Sequence, residues 1–133
     1  MRVVMLPCSL GEAADKIAIL TIKSERMRDP AQLENVRKEL ALVSPPFFAV
    51  VERSPAFDAL FAKLKSVNEA LWDIEDDIRG LEAKGDFGPE FVRLARAVYT
   101  TNDARAGLKR EINALLGSTL VEEKSYRGSA RDE

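Results

Sequence analysis

Between Pro55 and Lys84 the apolar residues Phe57, Leu60, Leu64, Val67, Leu71, Ile74, Ile78 and Leu81 recur at alternating spacings of three and four without a break. That period belongs to one face of an α-helix, so the stretch predicts a helix of ~45 Å over residues 55–84. An apolar seam of this length needs a partner of similar length. "KGDFGPE" follows, with Gly85 placed for a left-handed C-cap and Pro89 for the first turn of a new helix. The partner is therefore expected to be a helix over 89–116, folded back antiparallel and ended by Gly117.

A shorter helical pair is expected upstream. Ser9 and Glu12 have capping-box spacing, and the apolar set Leu10, Ala13, Ala14, Ile17, Leu20 and Met27 makes one stripe of a helix over about 10–28. Ile19 and Ile22 add a second stripe, so this helix should be covered on more than one side. Asp29-Pro30 starts a second helix over about 30–43, whose buried face is Leu33, Val36, Leu40 and Val43. Pro45 and Pro46 should end it, because neither can donate to the helical ladder. Ser54-Pro55 caps the long helix. The fold class is thus an all-α antiparallel bundle, one domain dominated by the long hairpin. Residues 2–6, "RVVML", and the stretch after Gly117 are β-prone and invite a short pairing of the termini, while residues 127–133 read as disordered.

Composition narrows the function classes. Lys plus Arg number 20 against 22 Asp plus Glu, interleaved along the chain, so there is no positive field to collect nucleic acid or an anionic membrane. The lone cysteine, Cys8, excludes an internal disulfide and reads as a small packed residue. The absence of histidine removes the commonest zinc ligand and the usual base near neutral pH, and neither a metal nor a cofactor is expected. Without a signal-peptide-like start or an apolar run of membrane-spanning length, the economical expectation is a cytoplasmic protein.

The residues that could carry chemistry fall on the long hairpin. Asn68, Trp72, Glu75 and Arg79 lie within about 60° of arc, roughly 100° from the centre of the leucine seam, with Asp76 on their flank. On the last helix the row Val92, Ala95, Tyr99, Asn102, Ala106, Lys109, Asn113, Leu116 is apolar at its ends and polar in the middle. Folding the hairpin near residue 87 sets position i opposite roughly 174 minus i, which brings Trp72 to Asn102, Glu75 to Tyr99 and Asn68 to Ala106. Asp73 and Asp77 read as solvent-facing charge, and Asp15 and Arg26 as exposed or locally paired. Lys16 and Lys23 share the Leu20–Met27 stripe and are expected to snorkel. The candidate binding set is Asn68, Trp72, Glu75, Asp76, Arg79, Tyr99, Asn102, Lys109 and Lys23, with Arg105 as a further cation and Glu75 as the one candidate acid or base.

The motifs "SLGEAADKIAILTIKSER", "NEALWDIEDDIR", "NDARAGLKREIN" and "EEKSY" resemble an uncharacterised family of small all-helical bacterial proteins, classed as a domain of unknown function. The "NxxLW..ED..R" and "KR.I" portions also resemble a second unassigned helical family associated with lipopolysaccharide and glycosyltransferase gene settings. The resemblance implies a bacterial helical protein and an accessory, interaction or ligand-binding role linked to cell-surface polysaccharide. The alternative is a small-molecule enzyme acting on an anionic or sugar-like substrate. Apolar seam on the overhanging hairpin leaves surface for a second copy, so a homodimer is compatible with either role.

Overall fold

The computed structural model describes residues 2–127, which form four helices: α1 (Leu10–Arg26), α2 (Pro30–Val50), α3 (Pro55–Ala83) and α4 (Pro89–Leu116). The expected disorder of 127–133 lies, but for Arg127, outside the described residues. The first three starts are made by side-chain caps: Glu12 N donates to Ser9 Oγ at 3.1 Å, Gln32 N to Asp29 Oδ2 at 2.9 Å and Phe57 N to Ser54 Oγ at 3.1 Å, whereas α4 begins at Gly88-Pro89 without one. At the hairpin turn Gly85 takes φ 68°, and Asp86 N reaches back to Leu81 O at 2.9 Å, closing α3 with a Schellman turn. Gly117 at φ 66° ends α4 the same way, with Ser118 N on Asn113 O at 2.9 Å.

α3 and α4 share the most extensive interface; α1 lies against both of them, and α2 packs on the far side of α1. The core joins Ala14, Ile17 and Ala18 of α1 to Phe57 and Leu64 of α3, Ile112 of α4, and Phe47 and Val51 at the end of α2. Burying each large side chain here contributes roughly 1.5–3 kcal/mol. At 17 residues α1 is about 26 Å long against about 44 Å for the 29-residue α3, so the tip of the hairpin extends past its C-terminus. Among the described residues no helix is long and apolar enough to cross a membrane.

Two expectations are corrected. α2 does not stop at 43 but runs through Pro45 and Pro46 to Val50. The prolines withhold donors from the carbonyls of Ala41 and Leu42, and all four residues are exposed, so water can satisfy those oxygens. Continuing the helix also seats Phe47 and Phe48 on Phe57, with ring centroids 5.8 and 6.4 Å away. The termini form no strand among the described residues; Val3, Val4, Met5, Leu6, Leu120 and Val121 are all exposed. The tail is held otherwise, since Leu10 N donates to Ser118 Oγ at 3.1 Å and that hydroxyl donates to Leu120 O at 2.7 Å. Cys8 is exposed rather than packed.

Candidate ligand groove

A charged residue stands at the centre of the bundle. Gly11, Asp15, Ala18 and Ile22 recur every three to four residues on the side of α1 turned into the α3/α4 hairpin, and all are buried. The small residues let the helices close up: Gly11 N donates to Asn113 Oδ1 at 2.7 Å, and a Cβ on Gly11 would lie 2.3 Å from Lys109 O. One turn on, Asp15 is 1% exposed. Its carboxylate accepts Arg105 Nε at 3.0 Å, a second bond from Arg105 Nη2, and Asn68 Nδ2 at 2.9 Å. A bidentate guanidinium fork plus an amide is the arrangement that makes a buried carboxylate tolerable. The hydrogen bond to Asp15 holds the Arg105 guanidinium pKa above its ordinary value against the opposing effect of burial.

Beside this network opens a groove of about 320 Å³. Ile19 and Ile22 of α1 and Leu71 of α3 supply its apolar surface, Asn68, Trp72, Glu75 and Asp76 line it from α3, and Asn102 and Arg105 from α4. Asn102 Oδ1 accepts a long bond of 3.5 Å from Arg105 Nη1. Arg26 lies over the Trp72 ring with its guanidinium carbon 5.8 Å from the centroid. It is held there by Asp73 Oδ1 at 2.7 Å and Glu69 Oε2 at 3.9 Å, and the bond to Asp73 raises its pKa.

Of the candidate residues, Asn68, Trp72, Glu75, Asp76 and Asn102 line the one groove. Four others do not line the groove. Tyr99 is 59% exposed, whereas Leu94 of the same helix is buried. The Arg79 side chain is 78% exposed and pairs with Glu75 at 3.3 Å along its own helix. Lys109 is buried nearer the start of α1, bonded to Glu12 Oε2 at 2.6 Å and to Glu122 Oε2 at 3.4 Å. Lys23 is half-buried on α1, outside the groove wall. Nor is Lys16 a snorkelling lysine only, since it bridges to Glu39 of α2 at 2.7 Å.

The larger corrections concern Asp15 and Arg26, neither of which is locally paired: Asp15 is the hub of the buried network, and Arg26 spans to α3. The small-residue row Gly11–Asp15–Ala18–Ile22 was the signal that α1 has a second buried face with a carboxylate on it.

Residues 4–131 match the sequence profile of a family of unknown function, DUF6165. The chain belongs to that family. All four helices, and with them every residue of the groove, fall inside the matched segment. No curated protein and no solved structure matches the chain.

Proposed function

We propose that the protein is a non-catalytic binding protein that takes a small hydroxylated, sugar-like ligand in the groove beside Trp72. The observation that carries this reading is the composition of the groove wall: an indole and an aliphatic patch next to amide and carboxylate groups that retain hydrogen-bonding capacity. A sugar ring is apolar on its C–H faces and polar around its edge, so it needs both kinds of surface within one cavity. A volume of about 320 Å³ suits a ligand of one or two rings.

Glu75 supports binding rather than catalysis. Its side chain is 44% exposed and already paired with Arg79, an ordinary surface arrangement for a carboxylate that accepts hydrogen bonds. The cations that would have gripped an anionic group, Arg79, Lys109 and Lys23, lie outside the groove, and Arg105 is neutralised by Asp15. A role beside the assembly or transfer of cell-surface sugars fits both this chemistry and the resemblance of the "NEALWDIEDDIR" segment.

Trp72 is the sole tryptophan, so intrinsic fluorescence reports on the groove directly. Titration with neutral hexoses and disaccharides is expected to change its emission saturably, and Asn102→Ala to weaken that response with the thermal midpoint nearly unchanged. An emission spectrum that no sugar alters saturably would sink the reading.

A further inference from the structure

The Asn68 side chain is only 7% exposed, and its two ends are unequal. Nδ2 donates to Asp15 Oδ1 at 2.9 Å and to Leu64 O at 3.1 Å. Those two acceptors fix the amide orientation, since the flipped form would set Oδ1 against a carboxylate and a carbonyl. Oδ1 accepts no hydrogen bond from the described residues, yet no fully buried side-chain oxygen or nitrogen among them lacks a partner. The oxygen is therefore reached from outside, at the groove that Asn68 lines. An acceptor held this rigidly at the base of a cavity calls for a donor.

The charges around it specify which donor. Glu75 and Asp76 line the groove with Arg105, and the groups paired beside it are Asp15, Glu69 and Asp73 with Arg26 and Arg79, five carboxylates to three guanidinium groups in all. Each guanidinium is already engaged: Arg105 with Asp15, Arg26 with Asp73 and Glu69, Arg79 with Glu75. The excess is negative, and low-dielectric walls focus such a field into the cleft. A neutral hydroxyl would meet Oδ1 but leave that field unused, and an anion would be repelled by it. An ammonium group offers three donors and a positive charge, suited to Oδ1 and the nearby carboxylates at once.

We propose that the groove selects a ligand bearing a primary ammonium group, which docks on Asn68 Oδ1 with Glu75 and Asp76 as counter-charges and Trp72 beside it. This rests on the groove being a small-molecule site and assigns the chemical class of what it holds. No covalent step is involved.

Calorimetric titration of the full chain with glucosamine, glucose and glucose 6-phosphate, at a pH where the amine is protonated, tests it. Glucosamine is expected to bind at least roughly tenfold more tightly than glucose, as a charge-assisted contact should provide, and glucose 6-phosphate more weakly than either. Asp76→Asn, at an exposed position that leaves the core untouched, is expected to shrink the glucosamine-to-glucose ratio. Equal affinities for glucosamine and glucose would overturn the ammonium assignment while leaving the sugar-binding function in place, as would tightest binding of the phosphate. Failure of all three sugars to bind would overturn both.

Discussion

Removing the Asp15 carboxylate would leave the Arg105 guanidinium inside the bundle without its counter-charge and Asn68 Nδ2 without its stronger acceptor. Breaking a buried pair from one side costs roughly 3–5 kcal/mol. Asp15→Ala is accordingly expected to lower the urea midpoint by that equivalent, whereas Asp15→Leu combined with Arg105→Met should cost less than Asp15→Ala alone, because no orphaned charge remains. Two glycines make a contrasting pair. Gly11→Ala drives a methyl into the backbone carbonyl of Lys109 and should cost roughly 1–3 kcal/mol as α1 shifts off α4. Gly80→Ala meets nothing within 4 Å in the last turn of α3 and is expected to raise the melting temperature, with a gain of roughly 0.5–1 kcal/mol.

Among the elements, the segment after α4 is held by charge as well as by the Ser118 hydrogen bonds. Burial pushes the Lys109 ammonium pKa down, but the hydrogen bond to Glu12 and the charges of Glu12, Asp15 and Glu122 outweigh it, and the net shift is upward. Partial burial raises the Glu122 carboxyl, but the charge and hydrogen bond of Lys109 and the charge of Lys124 outweigh it, leaving it below its ordinary value. The signs define a window. A raised lysine contributes fully below its unfolded pKa and loses that contribution as pH climbs through the folded one; a depressed carboxylate contributes above its unfolded pKa and loses it as pH falls through the folded one. The clasp is therefore complete between the carboxylate and lysine ranges and weakens on either side. Glu122→Gln should destabilise the protein by about 0.2–1 kcal/mol at neutral pH, a surface-pair magnitude. The difference from wild type should vanish in acid below the carboxylate range, as paired urea titrations at the two pH values would record. The α2 prolines show another balance within an element: two lost ladder bonds on an exposed side are offset by Phe47 and Val51 reaching the core.

At the scale of the molecule, burial is concentrated where α1 lies on the hairpin and thins toward the turn. Phe57, Leu64 and Leu71 of α3 are buried, whereas Ile74, Ile78 and Leu81 are only half-buried, and Phe87, Val92 and Tyr99 near the tip are exposed. Local opening costs least where buried apolar contacts are fewest. Amide exchange followed by mass spectrometry is expected to run fastest, among the helical segments of the hairpin, in 76–83 and 89–98, and slowest in 57–72 and 105–113. Uniform protection along both arms would show that something else covers the tip. The groove sits at the boundary between these regimes, with its base in the rigid network and Trp72, Glu75 and Asp76 on the less constrained side.

Helix identity was legible in the chain because it depends on local chemistry: the three–four period, the Ser9, Asp29 and Ser54 caps, and the glycines at 85 and 117 act within a few residues of themselves. The pairing of α3 with α4 was legible too, since a turn of known place folds one long apolar seam onto the other. What required the tertiary structure was the third helix at that interface. Period alone states which residues share a face, not which face another helix will cover, so Asp15 passed for surface charge and Lys109 for a groove cation. Only the docking of α1 decided that Asp15 would bind Asn68 and Arg105. Tyr99 and Arg79 lie exposed beyond the end of α1, and Asn68 Oδ1 is left at the groove with no partner among the described residues.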